Sequence, residues 1–154
     1  MMLVGSDFID NNASFTTQLK RNGPNVFIYA FAAAGVSANT PAAIQHMGSG
    51  YNATALAASN YGYVGVPEGT QSVSAGSWGW FQIRGKVTDA QGAATSLTGS
   101  VGHNVYWAGA TGLGATTSGN VGNQAIGQVG VLLEETSSST TGNIYLTGVW
   151  ATPI

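Results

Sequence analysis

From Trp80 onward, the run Ser77-Trp78-Gly79-Trp80-Phe81-Gln82-Ile83-Arg84-Gly85-Lys86-Val87 alternates between two kinds of side chain. Trp80, Gln82, Arg84 and Lys86 fall on one face at a period of two, and Phe81, Ile83 and Val87 on the other. Successive side chains of a strand point to opposite faces, whereas an amphipathic helix repeats its apolar positions every three or four residues. The run therefore predicts a half-buried strand. Trp80 beside Phe81 also puts aromatic rings on both faces, so one face enters the core and the other needs a second cover.

Further strands are predicted over Val26 to Val36, Asn104 to Ala108, Ile126 to Leu133 and Asn143 to Trp150, each ending in Gly, Asn or Ser/Thr clusters. Thr136 to Gly142, almost pure Ser and Thr, predicts an exposed hairpin loop. One local signal dissents: Thr40-Pro41-Ala42-Ala43-Ile44-Gln45-His46-Met47-Gly48 carries an N-cap Thr, a first-turn Pro and a closing Gly, the marks of a two-turn helix. An internal repeat opposes it. Gly62-Tyr63-Val64-Gly65-Val66 returns as Gly127-Gln128-Val129-Gly130-Val131, and Ile44 to Gly48 aligns with Val105 to Gly109. Each copy ends in an aromatic strand, so residues 42–87 and 103–150 read as two three-strand units, with 42–47 a strand. Two units are too few for a solenoid but suit a closed β-barrel or a compact β-sandwich. The fold expected is all-β, with residues 1–25 an irregular arm rich in turn residues and 26–154 a single β domain.

Charge narrows the function. The chain has four Lys and Arg against six Asp and Glu, a net charge of −2, and only 6% charged residues where about 25% is ordinary. Lys20, Arg21, Arg84 and Lys86 are too few for a nucleic-acid footprint, which must replace released counterions. The apolar run from Val26, with Lys20-Arg21 before it and Val36-Ser37-Ala38 after it, mimics a signal peptide. It is shorter than the roughly 20 residues that cross a bilayer as a helix and lies behind a polar leader, so a buried strand is the better reading. No membrane partner is expected.

Catalysis finds no foothold. Asp7 and Asp10 lie in the arm, Glu68 and Asp89 in turns, and Glu134-Glu135 at a strand end, pointing to opposite faces. His46 and His103 are not equivalent in the repeat, and there is no Cys, so neither a metal set nor a thiolate nucleophile is expected. No Gly-x-Ser-x-Gly elbow and no phosphate-cradling glycine loop is present. Asn12-Ala13-Ser14 and Asn52-Ala53-Thr54 match the glycosylation sequon, which matters only in a eukaryotic secretory pathway. The chain is expected to be no enzyme, with no catalytic residues, no cofactor and no metal.

Aromatic residues remain. Trp78, Trp80, Trp107 and Trp150, with Tyr61, Tyr63, Tyr106 and Tyr145, lie on or near predicted strands. Core and rim packing explains most of them. For Trp78 and Trp80 a subunit interface is the simplest second cover, because interfaces favour Trp and Tyr and exclude charge. A chain so poor in charge also has little repulsion to keep it dispersed on its own.

The order Gly62-Tyr63-Val64-Gly65-Val66, a polar loop, then Gly76-Ser77-Trp78-Gly79-Trp80-Phe81-Gln82-Ile83-Arg84-Gly85 resembles the small head decoration, or cement, proteins of tailed bacteriophages. Gly99 to Gly109, Ala125 to Glu134 and Asn143 to Val149 continue the likeness, which spans roughly residues 35–150. The resemblance implies a non-enzymatic β domain that trimerises on the outer surface of the capsid and staples neighbouring major capsid proteins. Major capsid protein and two further copies of the chain would be its partners, in the virion. Trp78, Trp80, Lys20 and Arg21 are the interface candidates, the two cations because they belong to an arm that could reach along the shell. Two other readings stand beside it: a carbohydrate-binding or adhesion module, marked by an open groove lined by Trp78 or Trp80, and another virion structural protein such as a tail component.

Overall fold

The computed structural model describes residues 19–48, 50–57, 59–92, 97–108, 112–116, 127–137 and 140–151. Among these the chain is all-β, as the alternation predicts: eleven strands and no helix. Strand β1 (Leu19–Asn22) turns through Gly23-Pro24 into β2 (Asn25–Ala32), followed by β3 (Ala42–His46), β4 (Tyr51–Ala55), β5 (Gly62–Pro67) and the long β6 (Ser77–Gln91). Then come β7 (Asn104–Trp107), β8 (Leu113–Thr116), β9 (Gln128–Leu132), β10 (Thr141–Thr147) and β11 (Trp150–Ala151).

Of the two architectures the sequence leaves open, the barrel forms. Pairings run β2–β4–β3–β5–β6, and β6 returns to β2 over seven paired positions from Val26–Arg84 to Ala32–Ser77, closing a five-stranded ring. Only β2–β4 is parallel within it. So small a barrel has a narrow interior, filled by mixing large and small side chains. Ile28, Ile44, Phe81 and Ile83 supply the bulk, and Ala30, Ala32, Ala42 and Ala53 the close approaches. The Ala-rich segment after Val26 is thus a barrel strand. Gly65 faces the same crowded interior: a Cβ there would lie 2.9 Å from Ile44 Cγ1 and 3.1 Å from the Phe81 Cβ.

A second core lies outside the barrel wall. Ala43, Val64 and Val66 project away from the interior and meet Val105, Trp107, Val129, Leu132, Ile144 and Leu146 of the sheet β10–β9–β7–β8. Strand β6 belongs to both halves. Its first part closes the barrel against β2, and its last part pairs with β10 from Arg84 to Gln91. Gly85, at φ +104°, sits where the two pairings meet, and a Cβ there would run into Asn25 Oδ1. The predicted face alternation holds: Phe81, Ile83 and Val87 are buried while Arg84 and Lys86 are exposed.

The internal repeat is topological. The order β4-β3-β5-β6-β10-β9-β7-β8 reads the same from both ends when β3 is matched to β7, β5 to β9 and β6 to β10. All seven neighbouring pairs are antiparallel, the arrangement produced by a two-fold axis between β6 and β10. Each unit has four strands, not three: β4 and β8, whose sequences alternate only weakly, pair with β3 and β7. Register is not repeated: Ile44 pairs with Tyr63, but Val105 pairs with Gly130, next to a bulge before Tyr106.

One open alternative is resolved and two local expectations are corrected. Residues 42–46 form strand β3, because Ala42 and Ile44 fill the barrel and Ala43 the outer core, and burial on both faces outweighs the helix-start signal. The end of the supposed irregular arm, Leu19–Asn22, is a strand hairpinned to β2, while residues 1–18 lie outside the described residues. Thr136 is no free loop residue: it bridges Gly99 through reciprocal backbone bonds, and its hydroxyl donates to the Leu97 carbonyl. Thr141 and Gly142 already belong to β10.

Because β6 runs through both cores, the two halves should unfold together. Phe81→Ala in the barrel should cost about 3–5 kcal/mol and Leu146→Ala in the outer core about 2–5 kcal/mol. Urea unfolding followed by fluorescence and by far-UV circular dichroism should give coincident single transitions for each variant. Separate transitions would show two independent halves.

Candidate functional site

The outward face of β2 and β6 carries the aromatic side chains that the barrel interior does not take. Alternation sends Ile28, Ala30 and Ala32 inward, leaving Phe27, Tyr29 and Phe31 outside. The β2–β6 register then sets Tyr29 opposite Trp80 and Phe31 opposite Trp78. Tyr29 stacks on Trp78 with centroids 5.6 Å apart and planes at 20°, and meets Trp80 at 5.0 Å. Phe31 lies 5.6 Å from Trp78. Such pairs contribute roughly 0.5–1.5 kcal/mol each beyond burial, so the two indoles are held from beneath.

Lys20 closes one end of this face. Paired with Phe27 across the β1–β2 hairpin, it is only 8% exposed. The ammonium stands 4.8 Å from the Phe27 ring centre and 4.9 Å from that of Trp80, and donates to both oxygens of Glu68 at 2.6 Å. A lysine can be buried this far because two ring faces and a carboxylate replace its water. Glu68 itself is fixed at the start of the β5–β6 connection, where its N–H donates to the Trp80 carbonyl at 2.9 Å.

Between that connection and β6 lies a groove of about 370 Å³, lined by Glu68, Gln71, Ser74, Ser77, Trp78 and Trp80 among others. The connection is tethered along its length. Val73 and Val36 exchange backbone hydrogen bonds at 2.8 Å, Ser72 Oγ accepts from the Ala38 N–H, and the Gly76 N–H donates to the Ala32 carbonyl. Gly79 leaves the room that the Val73 side chain occupies.

Three of the four interface candidates therefore converge: Trp78, Trp80 and Lys20. Lys20 is a structural clamp and is not free to meet a partner. Arg21, one residue on, falls on the opposite side of β1 and is exposed. Sequence reading missed Phe27, Tyr29 and Glu68, whose place depends on pairing between distant strands.

A second aromatic group sits on β3, β4, β5 and β11. Tyr63 pairs with Trp150, whose ring it meets at 5.1 Å edge-on, and Tyr61 lies 5.9 Å from the same indole. His46 contacts Tyr51 at 5.2 Å. Tyr61 is 49% exposed and Trp150 46%. Among the described residues no ring contact joins this group to the Trp78–Trp80 face. Burial, aided by neighbouring Tyr63, holds the Tyr51 phenol above its ordinary pKa of 10.0.

The remaining titratable groups are dispersed. Glu134 accepts from the N–H and the amide of Asn143, whose Oδ1 in turn accepts from the Asp89 N–H. His103 Nδ1 accepts from the Ser100 N–H. Among the described residues, no three of His, Cys, Asp and Glu gather as metal ligands. A cavity of about 290 Å³ at the barrel–sheet junction is bordered by Asn39, Gln82, Lys86 and Asp89. Asp7, Asp10 and the Asn12 sequon lie outside the described residues.

No family model and no curated protein matches the chain. Among solved structures, the head fiber gp8.5 N base of bacteriophage phi29 is similar at 15% identity. The alignment covers 80% of this chain and 95% of that one, with a TM-score of 0.48. A likeness at that level carries no argument about function.

Two outcomes follow from the geometry. Glu68→Gln should destabilise the fold by about 1–3 kcal/mol, since it leaves the Lys20 ammonium without its counter-charge. Lys20→Met with Glu68→Gln should lose less than the two single changes together, and a double-mutant cycle in urea measures that coupling. Alkali should act through Tyr51. An acid with a raised folded-state pKa keeps a proton that the unfolded chain releases, so its contribution is intact below about pH 10 and falls above it. Urea midpoints at about pH 9 and pH 11 should differ less in Tyr51→Phe than in the parent.

Proposed function

We propose that the chain is a structural decoration protein of a bacteriophage head. It binds the outer surface of the capsid as a homotrimer and staples neighbouring major capsid proteins. It works without catalysis, cofactor, nucleic acid or membrane. The sequence resemblance over residues 35–150 supports this reading, and the all-β barrel agrees with the compact β domain that resemblance implies.

The observation that carries it is the character of the surface. A chain with ten charged residues leaves Tyr61 and Trp150 about half exposed with their rings 5.9 Å apart. Large exposed rings without surrounding charge mark protein contacts. A staple needs a contact surface of its own, and the half-exposed Tyr61–Trp150 group supplies one. In a trimer the contacts act together, so each can be modest.

The test starts with light scattering behind a sizing column, where the expected mass is three times 15.6 kDa, stable on dilution. Co-sedimentation with expanded, undecorated heads should then persist, and change little between about 50 mM and about 500 mM salt, because few charges are present to be screened. A monomer that fails to sediment with heads, or a steep loss of binding with salt, overturns the reading.

A further inference from the structure

We propose that the groove beside Trp78 and Trp80 binds a neutral polysaccharide. Adjacent sugar rings rest on the two indoles while Glu68, Gln71 and Ser74 take hydrogen bonds from or to sugar hydroxyls. The inference goes beyond capsid decoration and does not depend on it.

The platform comes first. Trp78 and Trp80 are two residues apart on one face of a strand, a separation of about 7 Å along β6, the scale of one sugar ring and its link. They do not need to be ordered on binding. Tyr29 packs against both rings, Phe31 against Trp78, and the Lys20 ammonium against Trp80. A site already held in its bound shape avoids the entropy of ordering its side chains.

The opposite wall supplies polar groups of the matching kind. Gln71, Ser72 and Ser74 bring an amide and two hydroxyls, each able to donate and accept. Glu68 brings the groove's one carboxylate among its lining residues, and that carboxylate is oriented by Lys20. Tethers at Val73, Ser72 and Gly76 hold this wall in register with the rings.

Charge then selects the class of ligand. The nearest cation, Lys20, is buried and engaged by both oxygens of Glu68, so an anionic polymer finds no free positive group to pair with. An apolar protein segment would cover the serines and the glutamine without giving them partners, at the cost of leaving polar groups dry. An uncharged sugar answers both halves of the groove, with C–H faces for the indoles and hydroxyls for the wall.

The experiment is affinity electrophoresis of the full chain in native gels containing soluble polysaccharides. The panel is a β-glucan, a galactan and a mannan as neutral probes, and alginate as the anionic one. At least one neutral polymer should retard the protein, and alginate should not. Trp78→Ala and Trp80→Ala should each weaken that retardation by up to about tenfold, the scale of one aromatic contact. Trp80→Phe should recover part of it. Trp150→Ala, in the other aromatic group, should bind like the parent, and circular dichroism checks that every variant is folded. No retardation by any neutral polymer, equal retardation of a folded Trp78→Ala/Trp80→Ala variant, or preference for alginate overturns the proposal. So does loss of head binding by the tryptophan variants with no glycan binding by the parent, which would make the groove a protein contact. Because sugar binding is read on the isolated protein, its failure is distinct from failure to decorate heads.

Discussion

Strand β6 is the member on which both halves of the molecule depend. Fifteen residues at roughly 3.4 Å each make a span of about 50 Å, enough to serve as a stave of the barrel and then as the strand on which the outer sheet is laid. A single strand can do both only if its buried face changes core along its length. Phe81 and Ile83 enter the barrel, and Val87 and Ala90 enter the outer core. The change falls at Gly85, where a positive φ and the absence of a side chain let Asn25 come close. A side chain there would collide with Asn25, whose strand closes the barrel against β6.

The aromatic surface is a consequence of how narrow the barrel is. A five-stranded ring admits Ile, Ala and one Phe, so the larger rings of β2 and β6 are sent outward by the same alternation that fills the interior. There they are stabilised by each other and by Lys20, whose burial requires Glu68. The sequence thus links fold and surface tightly. The clamp that holds the N-terminal hairpin on the barrel also fixes one end of the groove beside the tryptophans.

Legibility in the sequence followed the range of the forces involved. The face alternation of β6 was readable because a period of two is local, and the all-β class followed from it. The Gly-Val repeat disclosed that β5 and β9 hold equivalent places, with Val64 and Val129 both entering the outer core. The helix-like start at Thr40-Pro41 misled because capping signals are local, whereas the burial of Ala42, Ala43 and Ile44 on two faces is decided by distant strands. Strands β4 and β8 were invisible for a related reason: Tyr51–Ala55 and Leu113–Thr116 show weak patterns and are made strands by their neighbours. At the candidate site, Trp78 and Trp80 could be named in advance. Glu68 could not, because nothing near it in sequence announces a lysine 48 positions away.

The poverty of charge ties these features together. An ordinary surface uses Lys, Glu, Arg and Asp both to stay dispersed and to choose partners at a distance, through fields that salt weakens. Here ten such residues serve the whole chain, and Lys20 and Glu68 are spent on each other. Recognition must then come from contact: shape, ring faces, and the short-range hydrogen bonds of Ser, Thr, Asn and Gln. Contact recognition is slow to find its target but indifferent to ionic strength, and it gains most when several copies act at once. A protein with this surface is suited to fixed, repeated lattices, where neighbours are always within reach and steering is unnecessary. A capsid is one such lattice and a polysaccharide layer is another.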